Sequence, residues 1–226
     1  MKIGILGSGN MGRSLGILWT EQGHEVFFGG RTTEKGKAVA EVAQNNTQGG
    51  TNDEAAKFGE VLLYTIRGIA PNEVLTSIDA LTGKIIIDCN NYEVPEDFNY
   101  QEIEYALAEK LGSQVPQAHI VKAFNTFAQE VFELAPSPLG DYDVSCFVAG
   151  DNDAARQKVM QLAKDIGFTP VDSRKLRNSR MLEKLGDFIR YMIMGQELGS
   201  YATISVKTFP AAETLRLGGR QASNLY

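Results

Sequence analysis

Residues 2–16 read KIGILGSGNMGRSLG, and this stretch joins two patterns. The aliphatic run KIGIL predicts a buried strand, and the apolar spacing from Met11 to Gln22 predicts a helix. Between them, Gly7, Gly9 and Gly12 have the spacing GxGxxG. At these places the first glycine allows a tight turn, the second lets a ligand approach the backbone, and the third brings helix and strand together. The stretch therefore predicts the first βα unit of a dinucleotide-binding fold.

The same alternation of apolar runs and amphipathic stretches continues as far as residue 172. Strands are predicted at 24–29, 60–66, 84–90, 118–124, 143–150 and 168–173. Helices are predicted at Glu34 to Ala43, Pro71 to Leu81, Ile103 to Leu111 and Ala154 to Ile166. This order predicts an α/β fold, a Rossmann-type doubly wound and mostly parallel sheet. We expect a dinucleotide-binding domain over residues 1–172, and a C-terminal helix and tail over 173–226 that packs on the sheet or on a partner subunit.

The C-terminal region has a different pattern. Apolar residues at helical spacing predict a long helix from Met181 to Leu198, which favours a homodimer built on that helix and the tail beyond it. The tail could add an edge strand at Ile204 to Val206. Arg216 and Arg220 further on could bind a second ligand, although a surface turn is favoured.

Composition excludes several classes of partner. The formal net charge is −6 and charges of both signs are interleaved, so we expect no nucleic-acid or membrane surface. Cys89 and Cys146 stand in apolar runs, which favours buried free thiols and a reducing cytoplasm. No apolar run approaches the roughly 20 residues that span a bilayer. The sequence therefore predicts a cytoplasmic protein with a small-molecule partner.

The glycine loop predicts an anion site. Backbone amides from Ser8 through Gly9 and Asn10 to Met11 would stand at the positive end of the helix dipole, where a pyrophosphate binds. A coenzyme specificity signal follows the second strand, which ends in Gly30-Arg31-Thr32-Thr33-Glu34-Lys35.

An NAD site places a carboxylate at this strand end, whereas an NADP site uses an arginine. Here Arg31 could bind a 2′-phosphate, with a hydroxyl from Thr32 and a charge from Lys35. The pattern favours NADP(H). The alternative is that Thr32 or Thr33 is an ordinary helix N-cap, with both cations solvated.

Four stretches carry a family resemblance: KIGILGSGNMG, GHEVFFGGR, VKAFNT and NSRMLE. Together they resemble the coenzyme F-420-dependent NADP oxidoreductases. The KAFNT stretch and the later VAGDNDAARQKVMQLAKDIGFTPVD also resemble the cytosolic NADPH-binding domain of the six-transmembrane metalloreductases. The resemblance implies hydride transfer between NADP(H) and a deazaflavin such as coenzyme F-420, or a flavin, by positioning alone. It also implies that Thr65, Ile66, Arg67 and Asn90 meet the ribose region, and that Asn125 and the residues up to Gln129 line the nicotinamide and the second ring.

The chain departs from that family at two places. It has Asn125-Thr126 where the family has a His-Thr pair, and Lys184-Leu185-Gly186 where the family has Ser-x-Thr. Both positions face the deazaflavin in the family. The departures leave the hydride acceptor open among a deazaflavin, a flavin, a quinone and a similar planar molecule.

Catalytic and metal-binding side chains are not predicted. His24 and His119 stand at strand starts without the neighbours of a triad or a metal site, and Asp88 is expected to hold a loop. Hydride transfer needs no acid or base, so an NADPH-dependent oxidoreductase is favoured. A non-catalytic NADPH-binding or sensing protein is the alternative.

Overall fold

The computed structural model describes residues 1–43, 47–135 and 137–210. Its centre is a sheet of eight strands in the order β3-β2-β1-β4-β5-β6-β7-β8. The strands are β1 (Lys2–Leu6), β2 (Glu25–Gly30), β3 (Thr47–Thr51), β4 (Val61–Tyr64), β5 (Ile85–Asp88), β6 (His119–Lys122), β7 (Ser145–Gly150) and β8 (Thr169–Asp172).

The first six strands are parallel, β7 is antiparallel to β6, and β8 is parallel to β7. This arrangement confirms the predicted mostly parallel, Rossmann-type fold. Strand β1 lies between β2 and β4, with Ile5 beside Phe28 and Leu6 beside Tyr64. The strand order therefore reverses at β1, and in such sheets ligands bind at the carboxyl ends of the strands beside this point.

Helices cover both faces of the sheet. They are α1 (Asn10–Glu21), α2 (Thr33–Ala43), α3 (Asn52–Phe58), α4 (Pro71–Val74), α5 (Leu107–Gln114), α6 (Ser137–Asp141), α7 (Asp153–Asp165) and α8 (Ser179–Arg190). Trp19 of α1 is buried with Phe28 in one core cluster and donates from its indole nitrogen to the Leu162 carbonyl of α7 at 3.1 Å. Leu111 of α5 packs with Leu62 in the cluster on the other side. The sheet is thus buried on both faces, as its continuous apolar strands require.

Strand β3 and the helix α3 that follows it were not predicted, because the β3 sequence TQGGT lacks apolar residues. Glycine contacts explain how this strand packs: a Cβ on Gly36 of α2 would lie 2.1 Å from the Gly50 carbonyl oxygen. Helix α3 begins with a capping box between Thr51 and Glu54. Close backbone packing, which a hydrophobic pattern does not reveal, therefore fixes this part of the fold.

Two predicted helices have other bounds. The helix at 71–81 ends at Val74, because the amide and hydroxyl of Thr76 donate to Asp53 at 2.8 and 2.9 Å, and a 3-10 turn follows at Ile78–Leu81. The helix at 103–111 begins only at Leu107, where the side chain of Glu109 accepts from the Ala106 amide at 2.9 Å.

The C-terminal helix is shorter than predicted. Helix α8 ends at Arg190 and continues as a π-helical turn, Tyr191–Gly195. The predicted strand at 204–206 is wrong: its backbone is irregular, and the Val206 amide donates to the Ser145 hydroxyl at 3.0 Å instead of to a neighbouring strand. Arg216 and Arg220 lie outside the described residues.

Both cysteines are free and buried, which confirms the prediction for Cys89 and Cys146. Burial raises the pKa of each thiol to about 12, so neither is a reactive thiolate at neutral pH. No helix in the described ranges is long and apolar enough to cross a membrane.

Candidate functional site

The glycine loop has the geometry that its spacing predicts. Gly7 has a φ of +95°, and a Cβ there would lie 2.7 Å from the Thr65 hydroxyl oxygen. A Cβ on Gly12 would lie 2.3 Å from the Gly7 carbonyl oxygen, so Gly12 lets α1 approach the loop. At Gly9, by contrast, a Cβ would meet no atom of the described residues within 4 Å. The backbone at Gly9 is therefore open to a ligand.

The amino end of α1 is open to an anion. Gly9 is the N-cap and supplies no side-chain bond, and the first turn of α1 carries no acidic residue. The amides of Asn10 and Met11 belong to that first turn, where an α-helix has no internal acceptors. One expected donor differs: the Ser8 amide donates to the Gly29 carbonyl at 3.1 Å, and the Ser8 hydroxyl donates to the same oxygen at 2.6 Å. Ser8 thus ties the loop to β2.

The residues after β2 form an exposed basic surface. Arg31, Thr32 and Lys35 are all exposed, and neither cation has an ion pair among the residues that the structure describes. The Thr32 hydroxyl accepts from the Lys35 amide at 3.4 Å, which is the N-cap role that the sequence left as an alternative. Gly30 lies close to α2, since a Cβ there would be 2.9 Å from the Gly36 nitrogen. The capping of α2 and a phosphate contact from Arg31 are compatible.

The end of β4 adjoins the glycine loop. The Thr65 hydroxyl donates to the carbonyls of Gly7 and Leu6 at 2.5 and 3.2 Å, so it braces the loop. The Tyr64 hydroxyl donates to the Ile69 carbonyl at 2.6 Å and shapes the loop that carries Ile66 and Arg67. Arg67 is half exposed and lies 3.6 Å from Glu93. This loop and the segment after β5 therefore meet above the carboxyl ends of β4 and β5.

A cavity of about 450 Å³ lies at these strand ends, and its lining includes Ile66, Arg67, Asp88 and Asn90. A larger groove of about 960 Å³ is lined by His119, at the amino end of β6, and by Lys175. We place the candidate site at the smaller cavity, because the open helix end and the strand-order reversal are at the carboxyl edge.

The end of β5 carries a buried ionic cluster. Lys122 of β6 donates to Asp88 at 2.8 Å, to Glu183 of α8 at 2.7 Å and to the carbonyl of Asn90. The other Asp88 oxygen accepts from the side-chain and backbone nitrogens of Asn90 at 2.7 and 3.1 Å. The expected loop-holding role of Asp88 is thus confirmed, with Lys122 as its charged partner.

Asn125 is only 3% exposed and is joined to the C-terminal helix. Its side-chain nitrogen donates to the Asn91 side chain at 2.9 Å and to the Leu182 carbonyl at 2.8 Å. Its side-chain oxygen is buried and has no partner within residues 1–43, 47–135 and 137–210. A Cβ on Gly186 would lie 2.7 Å from the Asn91 side-chain oxygen. Asn91 therefore connects Asn125 and Gly186, which belong to the two departures from the family pattern.

The backbone turns at Phe124, the residue before Asn125. It has a φ of +60° although it is not glycine, and its ring packs edge-on against Trp19 and Phe168. Non-glycine residues hold this conformation only where surrounding packing enforces it, and such residues cluster at functional sites.

Three residues that hold the site were not predicted from sequence. Asn52 accepts from the Gly7 amide at 3.2 Å, and Lys122 and Glu183 form the ionic cluster. The sequence contains a hint of the role of Lys122, because a lysine ends the mostly apolar strand β6. Asn52 and Glu183 gave none, because their partners are distant in sequence. Within the described ranges, no group of three or more His, Cys, Asp or Glu is arranged to hold a metal ion.

The sequence is similar to that of known oxidoreductases. Residues 2–92 match the family model described as NADP oxidoreductase, coenzyme F420-dependent. The metalloreductase STEAP3 of Rattus norvegicus is 29% identical over 184 residues, which are 81% of this chain and 36% of that protein. The metalloreductase STEAP2 of Homo sapiens is 27% identical over 183 residues, 81% of this chain and 35% of that protein. The chain thus spans about a third of the length of these relatives, and both predicted resemblances are confirmed.

Solved structures agree on the fold. A protein described as a putative F420-dependent NADP reductase from Arthrobacter superposes with a TM-score of 0.76, with 23% identity over 92% of this chain and all of that one. An imine reductase from Streptomyces aurantiacus superposes with a TM-score of 0.59, with 17% identity over 87% of this chain and 64% of that one.

Proposed function

We propose that this chain binds NADP(H) and works as an oxidoreductase with a planar acceptor, because residues 2–92 match the model of the coenzyme F420-dependent NADP oxidoreductase family. The open amino end of α1 carries the proposal. It offers unpaired backbone donors to a pyrophosphate, with Gly9 leaving the backbone free to be approached. Arg31 and Lys35, which have no ionic partner in the described part of the chain, support the choice of NADP(H) over NAD(H).

When bound, NADPH would supply a hydride for reduction of the acceptor. The chain's own residues contribute positioning. Thr65 braces the glycine loop, while Asn90 and Arg67 line the cavity where the ribose and nicotinamide would lie. The side-chain oxygen of Asn125, which is buried and has no partner in the described part of the chain, would accept a bond from a donor group of the nicotinamide or of the acceptor.

The acceptor belongs to the class of deazaflavins, flavins and quinones. The description of the matching family model, which is coenzyme F420-dependent, supports this class. We assign the choice within the class to the departures at Asn125 and Lys184. Lys184 contacts the Gln101 carbonyl and lies 3.4 Å from Asp187, so α8 presents a lysine and its acidic neighbour where the family presents hydroxyls.

The test is anaerobic mixing of the protein with NADPH and each of a deazaflavin, a flavin and a quinone. We expect one acceptor to accelerate the loss of nicotinamide absorbance. Tight NADPH binding with no acceleration by any acceptor would instead favour a non-catalytic NADPH-binding or sensing protein. Absence of NADPH binding would contradict both functions.

A further inference from the structure

Three charged side chains meet inside the protein, on three different elements. Lys122 of β6 is fully buried, and so is Glu183 of α8, while Asp88 of β5 is 1% exposed. Their formal charges sum to −1. Removing such charges from water costs several kcal/mol per ion, and replacing a buried ion cluster with apolar residues is often neutral or stabilising. Packing alone therefore does not account for the cluster.

Lys122 has an acceptor for each of its three ammonium protons: Asp88, Glu183 and the Asn90 carbonyl. Burial alone would lower the pKa of Lys122, but the two carboxylates raise that pKa above its ordinary value. The lysine is therefore charged at neutral pH. Glu183 also accepts from the Leu107 amide at 3.0 Å and from the Ala108 amide at 3.4 Å, so it caps α5 as well.

The cluster holds both the backbone and the side chain of Asn90. Lys122 binds its carbonyl, and Asp88 binds its backbone and side-chain nitrogens. The same side-chain nitrogen also donates to the Tyr64 carbonyl at 2.9 Å. Because the nitrogen is engaged twice, the amide group cannot turn over without losing both bonds. The side-chain oxygen of Asn90 has no donor among the described residues and belongs to a residue that lines the cavity.

We infer that Asp88, Lys122 and Glu183 are positioning residues, which fix the Asn90 side-chain oxygen as an acceptor for a hydroxyl or amide donor of the coenzyme. This inference rests on the proposed binding of NADP(H). The buried charges keep the Asn90 amide in one orientation before the coenzyme arrives, so binding does not have to order it. Through Glu183, the same cluster connects α8 to the coenzyme site.

A double-mutant cycle tests the inference with Asp88→Asn, Asn90→Ala and the double variant. An asparagine at 88 must turn its amino group toward either Lys122 or Asn90, so it opposes one donor with another and frees Asn90. We expect each single variant to weaken NADPH binding by about fivefold to tenfold, the equivalent of one hydrogen bond. If Asp88 acts through Asn90, the double variant binds no more weakly than Asn90→Ala alone.

A matched control separates positioning from general stability. Asp172 of edge strand β8 binds the buried Arg156 at 3.0 Å, so Asp172→Asn disturbs another buried ion pair. We expect this variant to lower the unfolding midpoint and leave the NADPH dissociation constant unchanged. The inference would be overturned if the two single variants raised the NADPH dissociation constant by factors that multiply in the double variant. It would also be overturned if Asp172→Asn weakened NADPH binding as much as Asp88→Asn does.

A second cycle keeps the inference testable if Asp88→Asn does not fold. Glu183→Gln removes a charge that binds Lys122 but does not touch Asn90, and it is combined with Asn90→Ala in the same way. We again expect the double variant to bind NADPH no more weakly than Asn90→Ala alone. Factors that multiply in the double variant would contradict the inference. Wild-type protein that binds no NADP(H) would contradict the proposed function itself, whereas binding with independent effects in the cycle contradicts only the positioning role.

Discussion

Arg31 is the residue that separates the two nicotinamide coenzymes in our proposal. It follows β2 directly, is exposed and has no ionic partner among the described residues. A 2′-phosphate would accept charge-assisted bonds from it, whereas NADH offers only a hydroxyl at that place. Bonds to charged groups contribute about 1.5 to 3 kcal/mol, or roughly tenfold to a hundredfold in affinity.

We therefore expect Arg31→Ala to weaken NADPH binding by about tenfold to a hundredfold and NADH binding much less. Dissociation constants for both coenzymes, measured side by side, check this, because contacts to the pyrophosphate cancel in the ratio. Arg177→Ala, in the 3-10 turn Leu176–Asn178, is the control and should change neither constant. Added salt should weaken NADPH more than NADH. An equal loss for both coenzymes in Arg31→Ala would show that Arg31 does not bind the phosphate.

Residues with local tasks were predictable from sequence, and residues with distant partners were not. The positive φ of Gly7 and the close approach of Gly12 to the Gly7 carbonyl arise inside one βα unit, so spacing alone indicated them. Glu183 lies 61 positions from Lys122, and Asn52 lies 45 positions from Gly7. Pairs of that kind become visible only when the fold brings them together.

At the scale of elements, helix α8 has apolar side chains exposed to solvent. Met181 is 72% exposed and Phe188 is 53% exposed, and Met194 in the following π-helical turn is 47% exposed. The opposite side of α8 is buried, with Leu182 packed on Phe147 and Ala149 of β7. Helix α8 is thus attached to the sheet and also leaves an apolar surface in solvent. We propose a second copy of this chain as the occupant of that surface.

We expect the wild-type protein to be a dimer at micromolar concentration, and Met181→Lys with Phe188→Lys to make it a monomer. Light scattering measures both states. Val42→Lys is the matched control, since Val42 is a similarly exposed apolar residue on α2, and this change should leave the dimer intact. A monomeric wild type would contradict the proposed interface.

Helices with strong apolar periodicity were predicted correctly. Prediction failed where capping or glycine packing determines the bounds of an element. The pattern predicted α1 and α7 to within a residue at each end. It missed β3, which is held by the contact between Gly36 and Gly50, and it extended the helix at 71 past Val74, where Asp53 binds Thr76. These outcomes depend on backbone approach and on single side-chain bonds, which leave little trace in hydrophobicity.

At the scale of the whole molecule, the proposed coenzyme site joins elements from most of the sheet. The glycine loop, the end of β2 and the end of β5 come from separate βα units, and the cluster at Lys122 adds α8. A ligand that binds only the folded chain stabilises all of these parts together.

We expect NADPH at a hundred times its dissociation constant to stabilise the fold by about 2.7 kcal/mol. For a domain of this size, that raises the unfolding midpoint by about 5 to 11 °C. NADH at the same concentration should raise it less. Thermal unfolding followed by circular dichroism measures both shifts, and a shift from NADH as large as that from NADPH would contradict the coenzyme preference.

The order of the fold was predictable at this scale because alternating strands and helices have few parallel arrangements. The reversal of β7 was not specified by its apolar run, which suits either direction.

The edge position of β8 has a further consequence. The Thr169 amide donates inward to Val144, just before β7, and the Ser173 amide donates inward to Val148 of β7. Pro170, one residue after Thr169, therefore directs its nitrogen to the outer edge, where it has no hydrogen to offer. An incoming strand would find a missing donor in the middle of β8, which discourages edge-to-edge aggregation and amyloid-like growth along the sheet at that end.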